Sequence, residues 1–83
     1  MSTTQAQAAP VATTVDARGQ SCPGPLVTLF QAMKGSQPGE LFELLATDPG
    51  SRSDVPSWAA ISGNELVESG SDEHGFRYLV RKA

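Results

Sequence analysis

The chain of 83 residues contains one cysteine, one histidine, one tryptophan and one tyrosine. A lone cysteine rules out an internal disulfide framework, so the fold must be held by packing. One Cys and one His do not make a closed zinc site, and no metal is expected. Basic residues are also scarce: six Lys and Arg stand against nine Asp and Glu, a formal net charge of −3. Such a domain is repelled by phosphate backbones and anionic lipid, which argues against a nucleic-acid partner. No apolar run is long enough to cross a bilayer, and membrane insertion is not expected. No glycine-rich phosphate loop follows a strand, and there is no internal repeat.

What is present divides at about residue 12. The opening MSTTQAQAAPVA carries no charge, no aromatic residue and no apolar period, and is expected to be a flexible tail over residues 1–12, ahead of one domain over 13–83. No basic or long apolar segment precedes the small-residue stretch AQAAPVA, so it does not read as an export signal. Together with a free thiol this predicts a cytoplasmic location.

The domain opens on a short β-leaning stretch, Thr13 to Ala17, broken by Arg18-Gly19-Gln20-Ser21. Leu26, Val27, Leu29, Phe30 and Met33 then recur with a helical period and form one broad apolar face, ended by Lys34-Gly35. Leu41 to Thr47 is mostly apolar and reads as a strand buried on both faces or nearly so. After the turn Asp48-Pro49-Gly50-Ser51, a second helix is predicted from Ser53 or Asp54, with Val55, Trp58, Ala59 and Ile61 inward, Pro56 in its first turn and Gly63-Asn64 as its stop. Glu65 to Ser69 and Phe76 to Lys82 read as a hairpin around a polar loop, Gly70 to Gly75. Phe76, Tyr78 and Val80 alternate with Arg77, Leu79 and Arg81, giving one apolar face. The expected fold is α+β: a two-layer α/β sandwich of order β-α-β-α-β-β, with a four-stranded mixed sheet and two helices on one face.

Cys22 sits in Gly19-Gln20-Ser21-Cys22-Pro23-Gly24-Pro25-Leu26. With Cys22 as the N-cap and Pro23 at the first helical position, the sulfur faces the free amides of Gly24 and Leu26 and the positive end of the helix dipole. Both favour thiolate, so a depressed pKa is expected. The prolines stiffen the first turn and hold the sulfur outward, and Gly24 leaves it uncovered. His74 lies among Ser, Asp, Glu and Gly and reads as a solvated turn residue, not as a base for Cys22. An activated thiolate without a base or resolving cysteine suits thiol exchange or carriage of sulfur as a persulfide.

Across nearly all of the domain the sequence resembles the TusA/SirA-like sulfur carriers. The likeness runs through Asp16-Ala17-Arg18-Gly19, Cys22-Pro23-Gly24-Pro25-Leu26, Gln37-Pro38-Gly39-Glu40, Ala46-Thr47-Asp48-Pro49, Asp54-Val55-Pro56-Ser57-Trp58 and Phe76 to Lys82. It implies that Cys22 accepts sulfane sulfur from a cysteine desulfurase or rhodanese-like donor and passes it to an acceptor relay protein. The acceptors lie in tRNA thiolation, cofactor synthesis or sulfur oxidation. The group carried is a covalent persulfide, with no separate cofactor, and the domain acts more as a protein co-substrate than as a turnover enzyme. A monomer is expected.

Two alternatives are carried. One is a thiosulfate-using sulfurtransferase coupled to uptake, for which Arg18 and the helix N-terminus would supply local positive charge. The other is a regulatory or RNA-binding module, suggested by a likeness in architecture to the C-terminal domain of bacterial translation initiation factor three. Asp48 and Asp54 become neighbours of Cys22 if the loops after the first two strands converge; otherwise they are turn and helix-start residues. Asp16 and Gly19 are read as shaping the strand-to-helix loop, and Trp58 as core. Arg77 and Arg81 are read as solvated strand residues or a partner-facing patch, and Arg52 is assigned no anion-binding role.

Overall fold

The computed structural model describes residues 13–21 and 23–83; the segment 1–12 and Cys22 lie outside the described residues. The element order is β1 (Thr13–Asp16), α1 (Gly24–Met33), β2 (Leu41–Ala46), α2 (Ser51–Ser62), β3 (Glu65–Asp72) and β4 (Gly75–Arg81). The sheet runs β1-β2-β4-β3, with β1 parallel to β2 and both other pairings antiparallel. This is the expected α+β arrangement.

Both helices cover one face, where Val15, Phe42, Leu44, Ala46, Tyr78 and Val80 meet Leu29, Met33 and Val55 in a single buried cluster. The other face is open. β2 is accordingly not buried on both sides: Phe42, Leu44 and Ala46 are buried, while Leu41, Glu43 and Leu45 between them are only partly covered. A two-layer fold has no third layer to cover the alternate residues of a central strand.

The helices also differ from expectation in detail. α1 buries Pro25, Leu29 and Met33, one residue per turn. Val27 and Phe30 face solvent at 49% and 55% exposure, so the apolar face is wider than the contact it makes, and on α2 Ile61 points outward at 86% exposure instead of inward. α2 begins at Ser51, not at Ser53 or Asp54, which makes Pro56 interior and leaves the Arg52 carbonyl without an i+4 amide. The early start has a local cause. The Asp48 carboxylate accepts the Gly50 N–H at 3.0 Å, its carbonyl accepts that of Ser51 at 3.0 Å, and Pro49 accepts that of Arg52 at 3.1 Å. Gly63, with φ +81°, ends α2 in the left-handed region where glycine is favoured.

The hairpin loop is shorter than its composition suggests. Gly70, Ser71 and Asp72 pair with Arg77, Phe76 and Gly75, leaving Glu73-His74 as the turn. Gly75 has φ +134°, and a Cβ there would lie 2.5 Å from the Ala46 carbonyl oxygen. That close approach lets β4 run against the end of β2. Between Leu66 and Glu68 the β3–β4 register slips by one residue, a bulge at Val67.

Candidate functional site

Because β1 and β2 are parallel, their following loops leave the sheet at the same end. The Gly19 N–H donates to the Thr47 hydroxyl at 2.9 Å, tying the two loops together. The two loops therefore meet between Gly19 and Thr47. Asp48 itself serves the turn into α2, and Asp54 is half-buried in the first turn of that helix, where a carboxylate suits the dipole.

The loop around position 22 is braced on both sides. Ala17 N–H donates to Leu45 O at 2.8 Å, and Gln20 N–H donates to Ala17 O at 3.2 Å. The Thr28 hydroxyl on α1 donates to the Gln20 side-chain oxygen at 2.9 Å. A Cβ on Gly24 would lie 3.0 and 3.1 Å from Gln20 side-chain atoms, so the helix entrance and the loop are in close contact. Ser21 and Pro23, which flank Cys22, are both exposed.

Cys22, the central candidate, lies outside the described residues, but its neighbours correct the cap geometry expected for it. Pro23 occupies the N-cap position (φ −94°, ψ 18°), Gly24 begins the helix and Pro25 follows in its first turn. The Gly24 N–H donates to Ser21 O at 2.7 Å, and Val27 N–H donates to Pro23 O at 3.1 Å. The Gly24 amide is thus engaged by the Ser21 carbonyl and is not the free donor expected of it. Leu26 is partly buried and packs against the core.

Arg18 is bound at both ends of its fork by Asp16, at 2.9 and 2.8 Å. The guanidinium and the Arg18 backbone N–H together lower the Asp16 pKa to about 2. Arg18 is therefore a neutralised loop brace, not a free cation. His74 is exposed at the hairpin turn, where the Asp72 carboxylate accepts its backbone N–H at 2.7 Å. Trp58 is half-buried and packs on the core cluster; with Phe30 and Met33 it lines a 330 Å³ groove at the far ends of the helices.

On the open face, Arg77 bridges Glu43 and Glu68, and Arg81 pairs with Glu65 at 2.8 Å. The Thr14 hydroxyl also donates to Glu43 at 2.9 Å. Arg77 and Thr14 together hold the Glu43 carboxyl below its ordinary range. These arginines brace the sheet; the sequence pattern alone assigned them to solvent or to a partner.

A braced, exposed loop at the entrance of a helix, on a four-stranded mixed sheet, is the frame of a sulfur-carrier domain, and comparison with known proteins places the chain. Residues 13–82 match the family model described as sulfurtransferase TusA. The chain belongs to that family. A relative in Archaeoglobus fulgidus is 43% identical over 68 residues, covering 82% of this chain and 93% of its own. The sulfur carrier protein TusA of Pseudomonas paraeruginosa is 37% identical over 73 residues, covering 88% and 92%. Among solved structures, the SirA-like protein of Desulfitobacterium hafniense superposes with a TM-score of 0.70 at 25% identity, over 86% of this chain and 96% of its own.

Proposed function

We propose that this chain is a cytoplasmic sulfur carrier that loads sulfane sulfur on Cys22 as a persulfide and delivers it to an acceptor protein. The observation that carries the reading is the loop around position 22. It is exposed on both flanks and held by the Gly19–Thr47, Gln20–Ala17 and Gly24–Ser21 hydrogen bonds. A thiolate on such a loop attacks the outer sulfur of a donor persulfide. The donor S–S bond breaks as the Cys22 S–S bond forms, and the donor cysteine leaves as thiolate. Transfer to the acceptor repeats the exchange with Cys22 as leaving group, so no net oxidant is needed. A rigid loop keeps the thiol presented without ordering cost at each encounter. The donor is a cysteine desulfurase or rhodanese-like protein, and Val27 in the first turn of α1, with Phe30 further along the same helix, supplies exposed apolar surface for docking.

Incubation with a cysteine desulfurase and L-cysteine, followed by intact mass measurement, tests the reading. The expected result is a gain of one sulfur atom, removed by dithiothreitol and absent in Cys22→Ser. No reducible gain, or an equal gain in Cys22→Ser, overturns it. The thiosulfate reading loses its local cation to Asp16, and the RNA-binding reading finds Arg18, Arg77 and Arg81 each tied to a carboxylate.

A further inference from the structure

Of the four arginines in the sequence, Arg18, Arg77 and Arg81 are each paired with a carboxylate. Arg52 is not so paired among the described residues; its guanidinium lies over the Phe76 ring, 5.9 Å from the centroid. It borders a 280 Å³ cleft between α2 and the β3–β4 hairpin, lined also by Pro56, Ser69, Ser71, Phe76 and Tyr78.

The bulge at Val67 decides which β3 side chains enter this cleft. Before it, Leu66 lies opposite Val80 on the covered face. In a regular strand the even-numbered residues Glu68, Gly70 and Asp72 would follow on that face. The extra residue reverses the parity, so Ser69 lies opposite Tyr78 and Ser71 opposite Phe76, while Glu68 and Asp72 turn to the open face. Ser69 and Ser71, in place of Glu68 and Asp72, therefore line the cleft that Arg52 borders. Arg52 is also the second residue of α2, so the positive end of the helix dipole adds to its field. In a chain of net charge −3, this is a local concentration of hydrogen-bond donors and positive charge.

We infer that the cleft binds a small tetrahedral oxyanion of the sulfate or phosphate type. The guanidinium approaches from the helix layer and the Ser69 and Ser71 hydroxyls from the strand. Donors in two layers suit an anion whose oxygens point out of one plane better than a flat carboxylate. The site does not depend on sulfur chemistry at Cys22, and the inference holds equally in a Cys22→Ser background.

The test is a titration of the full chain, as wild type and as Cys22→Ser, with sodium sulfate and sodium phosphate, followed by ¹H–¹⁵N correlation spectra. Chloride keeps the ionic strength fixed. Saturable shifts confined to Ser69, Gly70, Ser71, Phe76 and the Arg52 side chain are expected. Arg52→Gln should weaken half-saturation at least about tenfold, the equivalent of one strong contact. Ser71→Glu, which places a carboxylate in the cleft, should abolish the response with the fold intact. Arg18→Gln should leave it unchanged. Equal shifts with chloride, or undiminished binding in both Arg52→Gln and Ser71→Glu, overturn the inference. Acetate saturating the cleft as tightly as sulfate also overturns it, and assigns the cleft to a carboxylate-bearing partner.

Discussion

The two faces of the sheet are built from the same four strands and are held by different physics. On the covered face, Phe42, Leu44, Tyr78 and Val80 are buried beneath the helices, and the one buried polar residue among the described residues is Ser51, hydrogen-bonded to the Tyr78 hydroxyl at 2.8 Å. On the open face, Thr14, Glu43, Arg77 and Glu68 form a chain of polar contacts across the strands at partial exposure. Burial of apolar area provides most of the stability, whereas exposed ion pairs add little and select register. The covered face should therefore set how stable the domain is, and the open face how stability responds to pH and salt.

The strongest way to break the contrast is Leu44→Ala, which empties a fully buried position at the centre of the cluster. A loss of about 2–5 kcal/mol is expected, read as a lower denaturant midpoint with little salt dependence. Tyr78→Phe probes the polar contact of the same face. Removing its hydroxyl leaves the Ser51 hydroxyl buried without that partner, for a loss of about 1–3 kcal/mol. Ser51→Ala combined with Tyr78→Phe should lose less than the sum of the single changes, measured by a double-mutant cycle.

On the open face, Arg77→Met should change stability by about 1 kcal/mol or less, and the difference from wild type should shrink as salt is raised. The smallest effect is expected at Asp16. Its folded pKa of about 2 lies below the ordinary carboxylate value, so the stabilisation is complete above about pH 4 and is lost as pH falls toward 2. Asp16→Asn should lower the plateau near neutrality slightly and flatten the acid limb, so that the two stability–pH profiles converge as pH falls toward 2. A larger effect from Arg77→Met than from Leu44→Ala would overturn the comparison.

The covered face was also the legible one. The helical spacing that includes Leu29 and Met33, and the alternation of Phe76, Tyr78 and Val80, are visible in the sequence because burial imposes a period. Its limits were less so. Val27 and Phe30 share the period of α1 but lie outside its contact, since the sequence does not give the width of the surface that receives them. Gly70-Ser71-Asp72 resembles a loop by composition, yet cross-strand pairing with β4 extends the strand through it. The start of α2 was hidden in a turn signature, because the Asp48 side chain closes the turn onto the Gly50 N–H and the helix runs straight on from that turn at Ser51. At the candidate site, the chemistry of Cys22 is read from residue types alone. The hydrogen bond that takes up the Gly24 amide was not legible, because a proline-rich entrance fits either of two cap registers. The Arg52 cleft was invisible for a related reason: it depends on a one-residue slip that no residue type in Val67 and its neighbours announces.

That slip has a consequence at the rim of the sheet. β3 is an outermost strand, and a strand there presents a row of main-chain groups on which another chain can assemble. The bulge interrupts the even spacing of that row partway along β3, and Glu65 and Glu68 place like charges where an identical strand would approach. A second copy laid against this rim would lose register after Leu66 and meet its own glutamates. The exposed edge is thus irregular in both spacing and charge, the two devices by which an edge strand discourages pairing with its own kind.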